Sequence, residues 1–319
     1  MKAFILAAGF GERLRPLTGT TPKPLLPVLN LPVICYTLSL LKEAGIRDVV
    51  INLHHEADQI IRFFDTHDRF RLNVTFSCEA EILGTGGGLK RCQRFLEDAP
   101  FFLINSDIVL DADLSGLAEM HARSGAPATL LLHRTQRAAQ IGPVGVSGNH
   151  VVDFNNLLGT GVTSDLIYSG AAVISPDIFP CLEGNFSSIV TTGYTGLIRD
   201  RFVGFSEHRG FWCDVGNPSA FLDVNTTCIG SVLKLRERIR TTLGMEPACI
   251  SPSARIGSDA VLCDSVVGEA CSVGEHVRFQ RVVVLPKSSV PDRSALSDAV
   301  VHPGGVLHVQ NPSTNGGSK

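Results

Sequence analysis

Short apolar runs alternate with amphipathic stretches through the first two-thirds of the chain. Residues 3–8 read as a buried strand, and residues 33–43 as a helix in which Ile34, Leu38 and Leu41 share one face. Gly45 marks its stop. The alternation continues with strand 49–52, helix 57–66 and strand 72–77, then a glycine-rich loop and a helix over 89–96. Strand 101–104, helix 114–123 and strand 128–133 follow. Continuous apolar strands separated by helices predict an α/β fold: a doubly wound, mostly parallel, Rossmann-like sheet covered on both faces. Ligands of such sheets sit at the carboxyl ends of the strands.

The pattern changes after residue 228. Residues 229–243 read as a cationic helix carrying Lys234, Arg236, Arg238 and Arg240, closed by Gly244. Beyond it, Ile256, Leu262, Val267, Val273, Phe279 and Leu285 recur near every sixth position, with one short step from 262 to 267. Glycine follows at Gly257, Gly268 and Gly274. A six-residue period suits a short β-helix of fewer than two full coils. The expected organisation is a domain over 1–228, a linker helix over 229–245, a hexad segment over 246–310 and a disordered tail over 311–319.

Composition narrows the function classes. The chain has 319 residues, 44% hydrophobic and 18% charged, with a formal net charge of −3. That balance gives no basic footprint for nucleic acid. No apolar run approaches the length of a membrane span, and the N-terminus enters a strand directly, so neither a membrane partner nor a signal peptide is expected. Nine cysteines, an odd number without a C-x-x-C pair, fit reduced thiols in a cytoplasmic protein. The adjacent His54-His55 pair lacks further ligands at metal-binding spacing.

Candidate chemistry concentrates where the first strand breaks into Gly9-Phe10-Gly11-Glu12-Arg13-Leu14-Arg15-Pro16-Leu17-Thr18, followed by Pro22-Lys23-Pro24. Glycines let backbone N–H groups approach phosphate oxygens, and Arg13, Arg15 and Lys23 bring cations to a polyphosphate. Two common phosphate loops are excluded. A dinucleotide fingerprint needs glycine where Leu14 stands, and no Gly-Lys-Ser/Thr triplet occurs. Asp107, just past a strand, and Asp214, in Trp212-Cys213-Asp214-Val215-Gly216, are candidate Mg²⁺ ligands, because that ion takes few carboxylates plus phosphate oxygens. The stretch Gly84-Thr85-Gly86-Gly87-Gly88 offers bare backbone for a base or phosphate.

These blocks, with Leu83-Gly84-Thr85-Gly86-Gly87, Ser106-Asp107 and Tyr168-Ser169-Gly170, resemble the sugar-1-phosphate nucleotidyltransferases over about residues 1–227. The hexad tail resembles the left-handed β-helix of many members. The resemblance implies that Arg13 and Lys23 hold and polarise a nucleoside triphosphate. It places the backbone of Ala8, Gly9 and Gly11 on base and phosphates, Gly86 and Gly87 beside the base, and Gly145 and Gly170 around the sugar. Asp107 and Asp214 would bind Mg²⁺. Members join an NTP to a sugar 1-phosphate and release pyrophosphate without a protein nucleophile. The terminal coil of the hexad tail would leave strand edges open, so a homodimer or larger oligomer is expected.

Two departures stand out. Glu12 occupies a position where many relatives have Ser or Thr, although a subset similar to N-acetylmuramate-1-phosphate uridylyltransferases shares Gly-x-Gly-Glu-Arg. Relatives also carry a lysine for the sugar phosphate where this chain reads Val152-Asp153-Phe154-Asn155-Asn156. Arg134, Arg137 and Arg199 are the candidate substitutes. The glycine blocks lean towards uridylyl transfer and the tail towards mannose-1-phosphate guanylyltransferases. A non-catalytic regulatory subunit of the same fold is the alternative.

Overall fold

The structure is a computed structural model and describes residues 1–310. The tail anticipated over 311–319 lies outside the described residues. Two compact units emerge. One comprises residues 1–10 and 36–212, the other residues 11–35 and those from 213 onward.

The first unit is built on a nine-stranded sheet. Its order is Asn73–Cys78, Asp48–Leu53, Lys2–Leu6, Phe101–Asn105, Leu166–Ile174, Ala128–Arg134, Val203–His208, His150–Phe154 and Val144–Ser147. The first four strands run parallel, as do Ala128–Arg134 and Val203–His208. Leu166–Ile174 runs antiparallel between the two groups. The sheet is therefore mostly parallel, as the alternation predicts. Phe4, Val50, Leu103, Leu130 and Leu132 pack with Leu89, Leu96 and Leu197 in one buried cluster. Each such side chain is worth roughly 1.5–3 kcal/mol when removed from water.

Two helices differ from expectation. The glycines at 84–88 are not a loop: the helix spans Gly84–Arg91, with a second short helix over Gln93–Leu96. Glycine is a poor helix former, so tertiary contacts hold this first turn. Leu83 N–H donates to Glu79 Oε2 at 2.9 Å, and Gly86 N–H to the Ser187 carbonyl at 2.9 Å. In the second unit, the single cationic helix over 229–243 is instead two, Ile229–Leu233 and Arg236–Leu243. Leu235 N–H bonds the Val232 carbonyl three residues back, tightening the chain between them. Gly244 closes the second helix in a left-handed conformation, as anticipated.

The C-terminal strands of the second unit stack in parallel at an offset of 17 residues. Arg255 pairs with Ser272 and Ser272 with Ser289; Leu262 pairs with Phe279 and Phe279 with Leu296; Val267 pairs with Val284 and Val284 with Val301. The apolar steps are six, five and six residues, then six, five and six again. The short step from 262 to 267 thus recurs from Phe279 to Val284. Val284, 1% exposed, takes the inward position assigned to Leu285, which turns to line a cavity. Three layers form, more than the short stub anticipated, because Val290, Leu296 and Val301 continue the period.

Corner residues repeat at the same offset. Asp259, His276 and Arg293 are left-handed, and so are Asp264, Arg281 and Asp298, and Ala270 and Lys287. Gly257, Gly268 and Gly274 serve a different need. A Cβ at Gly257 would lie 2.5 Å from the Gly274 carbonyl carbon, and one at Gly274 2.5 Å from the Asp292 nitrogen. Close approach of the neighbouring layer, not positive φ, demands glycine there. Strand Gly305–His308 folds back antiparallel on Ala295–His302, so one edge of the last layer is covered.

Candidate active site

In the first unit, candidate residues gather at the carboxyl end of the parallel strands. Ala8 and Gly9 follow Lys2–Leu6, and Asp107 follows the adjacent strand Phe101–Asn105. Ser106 fixes that exit: its N–H and hydroxyl both donate to the Leu6 carbonyl, at 3.1 and 2.6 Å. Asp107 is half-buried in the turn that follows. Gly9 is exposed with open space where a Cβ would stand.

A buried polar chain links the two glycine segments. Ala7 N–H donates to Asn52 Oδ1 at 2.9 Å, Asn52 Nδ2 donates to Glu79 Oε1 at 2.8 Å, and Glu79 Oε2 receives Leu83 N–H. Asn52 is 2% exposed and Glu79 5%. The exit of the first strand and the entry to the glycine helix are thereby held by one carboxylate. Neither residue stands out in the sequence; the available signal is a polar residue ending an apolar strand.

The helix glycines have packing reasons of their own. A Cβ at Gly86 would lie 2.7 Å from Ser187 Oγ, at Gly87 2.2 Å from the Asn185 carbonyl oxygen, and at Gly88 2.7 Å from Glu79 Oε1. Gly86 and Gly87 are both buried. Gly170 adopts φ +88°, and a Cβ there would strike the Asn105 amide at 2.8 Å, which brings it beside the strand that precedes Asp107. Gly145 lies at the sheet edge, where a Cβ would meet the Val162 carbonyl oxygen at 2.4 Å.

The stretch without a lysine has a definite structural role. Asp153 is fully buried and accepts from the N–H groups of Phe154, Leu158 and Thr160 and from the Thr160 hydroxyl, at 2.8 to 3.0 Å. Burial pushes its carboxyl up, but these hydrogen bonds outweigh burial and hold it below the usual carboxylate value. Arg134 is already committed: its guanidinium bonds Glu207 at 3.0 Å and also pairs with Asp165.

Aromatic and histidine side chains the sequence did not single out cluster nearby. Trp212 donates its indole N–H to the Ser169 carbonyl at 2.8 Å and stacks on His133 at 5.4 Å. Burial, then the neighbouring His208, lowers the His133 pKa.

In the second unit, Gly11 (φ +65°) opens the turn Glu12–Leu14 that carries Arg13. Thr18 closes it, donating its hydroxyl to the Gly11 carbonyl at 2.8 Å. Arg13 is exposed, whereas the Lys23 side chain is 13% exposed and its Nζ lies 3.9 Å from Asp214 Oδ1. The Asp214 carboxylate rests on Gly216, where a Cβ would come within 2.6 Å of Oδ2. The segment bearing Lys23 also walls a cavity of about 790 Å³, faced by Pro252, Glu269, Pro286 and Pro303 at the 17-residue spacing.

No group of three or more His, Cys, Asp or Glu that could hold a metal occurs among the described residues. Mg²⁺ takes few protein carboxylates and completes its shell with phosphate oxygens and water, so Asp107 and Asp214 are each the kind of single oxygen donor that it uses. No helix among the described residues is long and apolar enough to cross a membrane.

Comparison with known proteins agrees with these features. The Nucleotidyl transferase family matches residues 2–155. The mannose-1-phosphate guanyltransferase of Emericella nidulans is 31% identical over 313 residues, covering 94% of this chain and 86% of the relative. That of Aspergillus fumigatus is 32% identical with the same coverage. Among solved structures, a protein of Bacillus anthracis provisionally assigned as a glucose-1-phosphate thymidylyltransferase matches with TM-score 0.64 and 22% identity. It covers 70% of this chain and 94% of that one. The chain belongs to the sugar-1-phosphate nucleotidyltransferase family and is an enzyme of that class.

Proposed function

We propose that this enzyme transfers GMP from GTP to mannose 1-phosphate in a Mg²⁺-dependent reaction. A phosphate oxygen of the sugar 1-phosphate forms a bond to the α-phosphorus of GTP. The bond from the α-phosphorus to the bridging oxygen breaks, and pyrophosphate leaves with that electron pair. One observation carries the choice of base and sugar: the similarity to mannose-1-phosphate guanyltransferases runs through 94% of the chain, C-terminal layers included.

The substrate phosphate is already anionic, so the chain's task is alignment and charge neutralisation. Arg13 and Lys23 are assigned to the triphosphate, with the backbone of Ala8, Gly9 and Gly11 on base and phosphates. Gly86 and Gly87 are assigned beside the base, and Gly145 and Gly170 to the sugar pocket. Asp107 and Asp214 are the carboxylates assigned to Mg²⁺, whose charge offsets that of the phosphates. The 17-residue layers support a left-handed β-helix, whose remaining open edges favour a homo-oligomer; light scattering tests this, and a monomer would refute it.

A second reading, a nucleotide-binding regulatory subunit, draws on one observation: Asp153 is a buried turn carboxylate at the segment where relatives hold a lysine. Pyrophosphate release separates the two. ATP, CTP, GTP, UTP and dTTP are each paired with mannose, glucose, N-acetylglucosamine and N-acetylmuramate 1-phosphates, with and without Mg²⁺. Release with GTP and mannose 1-phosphate is expected; nucleotide binding with a blank grid would favour the regulatory reading.

A further inference from the structure

A sugar 1-phosphate carries nearly two negative charges at neutral pH. Arginine and lysine residues of the first unit divide by position and pairing. Three follow the carboxyl ends of its parallel strands: Arg134 at the end of Ala128–Arg134, Arg137 three residues on, and Arg209 just after Val203–His208. Arg134 is shared between Glu207 and Asp165, and Arg209 lies 3.4 Å from Glu207. Two cations and two carboxylates cancel there. Arg199 precedes the amino end of Val203–His208, the opposite end of the sheet.

Arg137 differs from all of these. It is exposed, and among the described residues no carboxylate pairs with it. Its backbone is nevertheless fixed. The N–H donates to Thr135 Oγ1 at 3.2 Å, and the carbonyl accepts from Gln140 and Ile141 at 3.0 and 3.1 Å. Thr135 N–H in turn bonds the Asp165 carbonyl at 2.8 Å. A rigid backbone therefore presents an uncompensated guanidinium, five residues before Gly142-Pro143.

The same end of the sheet leaves polar atoms unused. His133 Nδ1 and Ser169 Oγ are buried without a hydrogen-bond partner among the described residues. Ser169 is 1% exposed and directly precedes Gly170. Orphan polar atoms of this kind are uncommon in folded proteins.

We infer that Arg137 binds the phosphate of the sugar 1-phosphate, taking the place of the absent lysine. This rests on the sugar-phosphate substrate proposed above. Steady-state kinetics on the full chain test it, with whichever NTP and sugar 1-phosphate pair the wild type turns over. Arg137→Ala is expected to raise KM for the sugar 1-phosphate about tenfold or more, with KM for the NTP within about twofold of wild type. Arg137→Lys should recover part of the loss, and Arg199→Ala should leave both constants unchanged. An unchanged sugar-phosphate KM in Arg137→Ala, or equal rises in both KM values, overturns the assignment. Circular dichroism and thermal melting confirm that the variant is folded. A wild type that releases no pyrophosphate with any pair overturns the proposed function itself, and the inference with it.

Discussion

The nine-stranded sheet and the three-layer C-terminal stack use parallel strands in opposite ways. In the sheet, strand exits are tied down by individual contacts: Ser106 bonds the Leu6 carbonyl, Asn52 joins Ala7 to Glu79, and Thr135 holds the backbone of Arg137. In the stack, every position has a counterpart 17 residues away, and columns of equivalent residues share the task. Individual contacts at strand ends permit chemistry; repetition spreads stability over many small contributions. Losses among the residues assigned to the substrates should be specific to activity, and those in buried turns and in the stack confined to stability.

The largest effect tests the chemical side. Lys23→Ala is expected to lower turnover by about a hundredfold or more while the melting temperature stays near wild type. Turnover within a few-fold of wild type would remove Lys23 from the reaction.

Asp153→Ala should cost about 3 kcal/mol by chemical denaturation, because three N–H groups and a hydroxyl lose one buried acceptor. Its pH dependence follows from the depressed folded-state pKa. The stability that Asp153 contributes is complete above the unfolded value of about 3.9 and declines as pH falls through the lower folded value. Melting curves from pH 7 down to 3 should therefore show a shallower acid slope in Asp153→Asn than in wild type.

Smaller losses sharpen the picture of the stack. Val284→Ala should cost about 2 kcal/mol. Leu285→Ala, at a position lining the cavity, should cost less; the reverse order would restore the strict six-residue register. Arg281 bonds Asp298 at 2.8 Å and Asp223 at 2.9 Å and also pairs with Thr227, so Arg281→Ala should cost about 1–2 kcal/mol. Ile256→Ala, already 37% exposed, should change stability by less than about 1 kcal/mol.

Much of this contrast is legible in the sequence. Buried strands declare themselves by apolar runs, so the sheet strands before residue 134 sit within a residue or two of their expected places. The apolar steps reveal the stack, and the glycines after Ile256, Val267 and Val273 reveal its tight layers. What escapes depends on partners distant along the chain. Nothing local shows that Gly86 and Gly87 must clear residues 185–188, or that Asn52 and Glu79 share a hydrogen bond across 27 positions. The register error at Leu285 has a different cause: Val284 and Leu285 are adjacent and both apolar, so only pairing with the next layer decides between them. Residues 11–35 group with the C-terminal unit, which no linear boundary expresses.

The 17-residue offset constrains how this enzyme's gene can change. Deleting or duplicating a whole layer keeps Val267, Val284 and Val301 in one column and the left-handed corners aligned. Loss of a single codon in the stack would instead slip every later position out of phase, driving corner residues such as Arg281 into strands and aliphatic ones into water. Chain length here is quantised, and its evolution should proceed by whole layers or not at all.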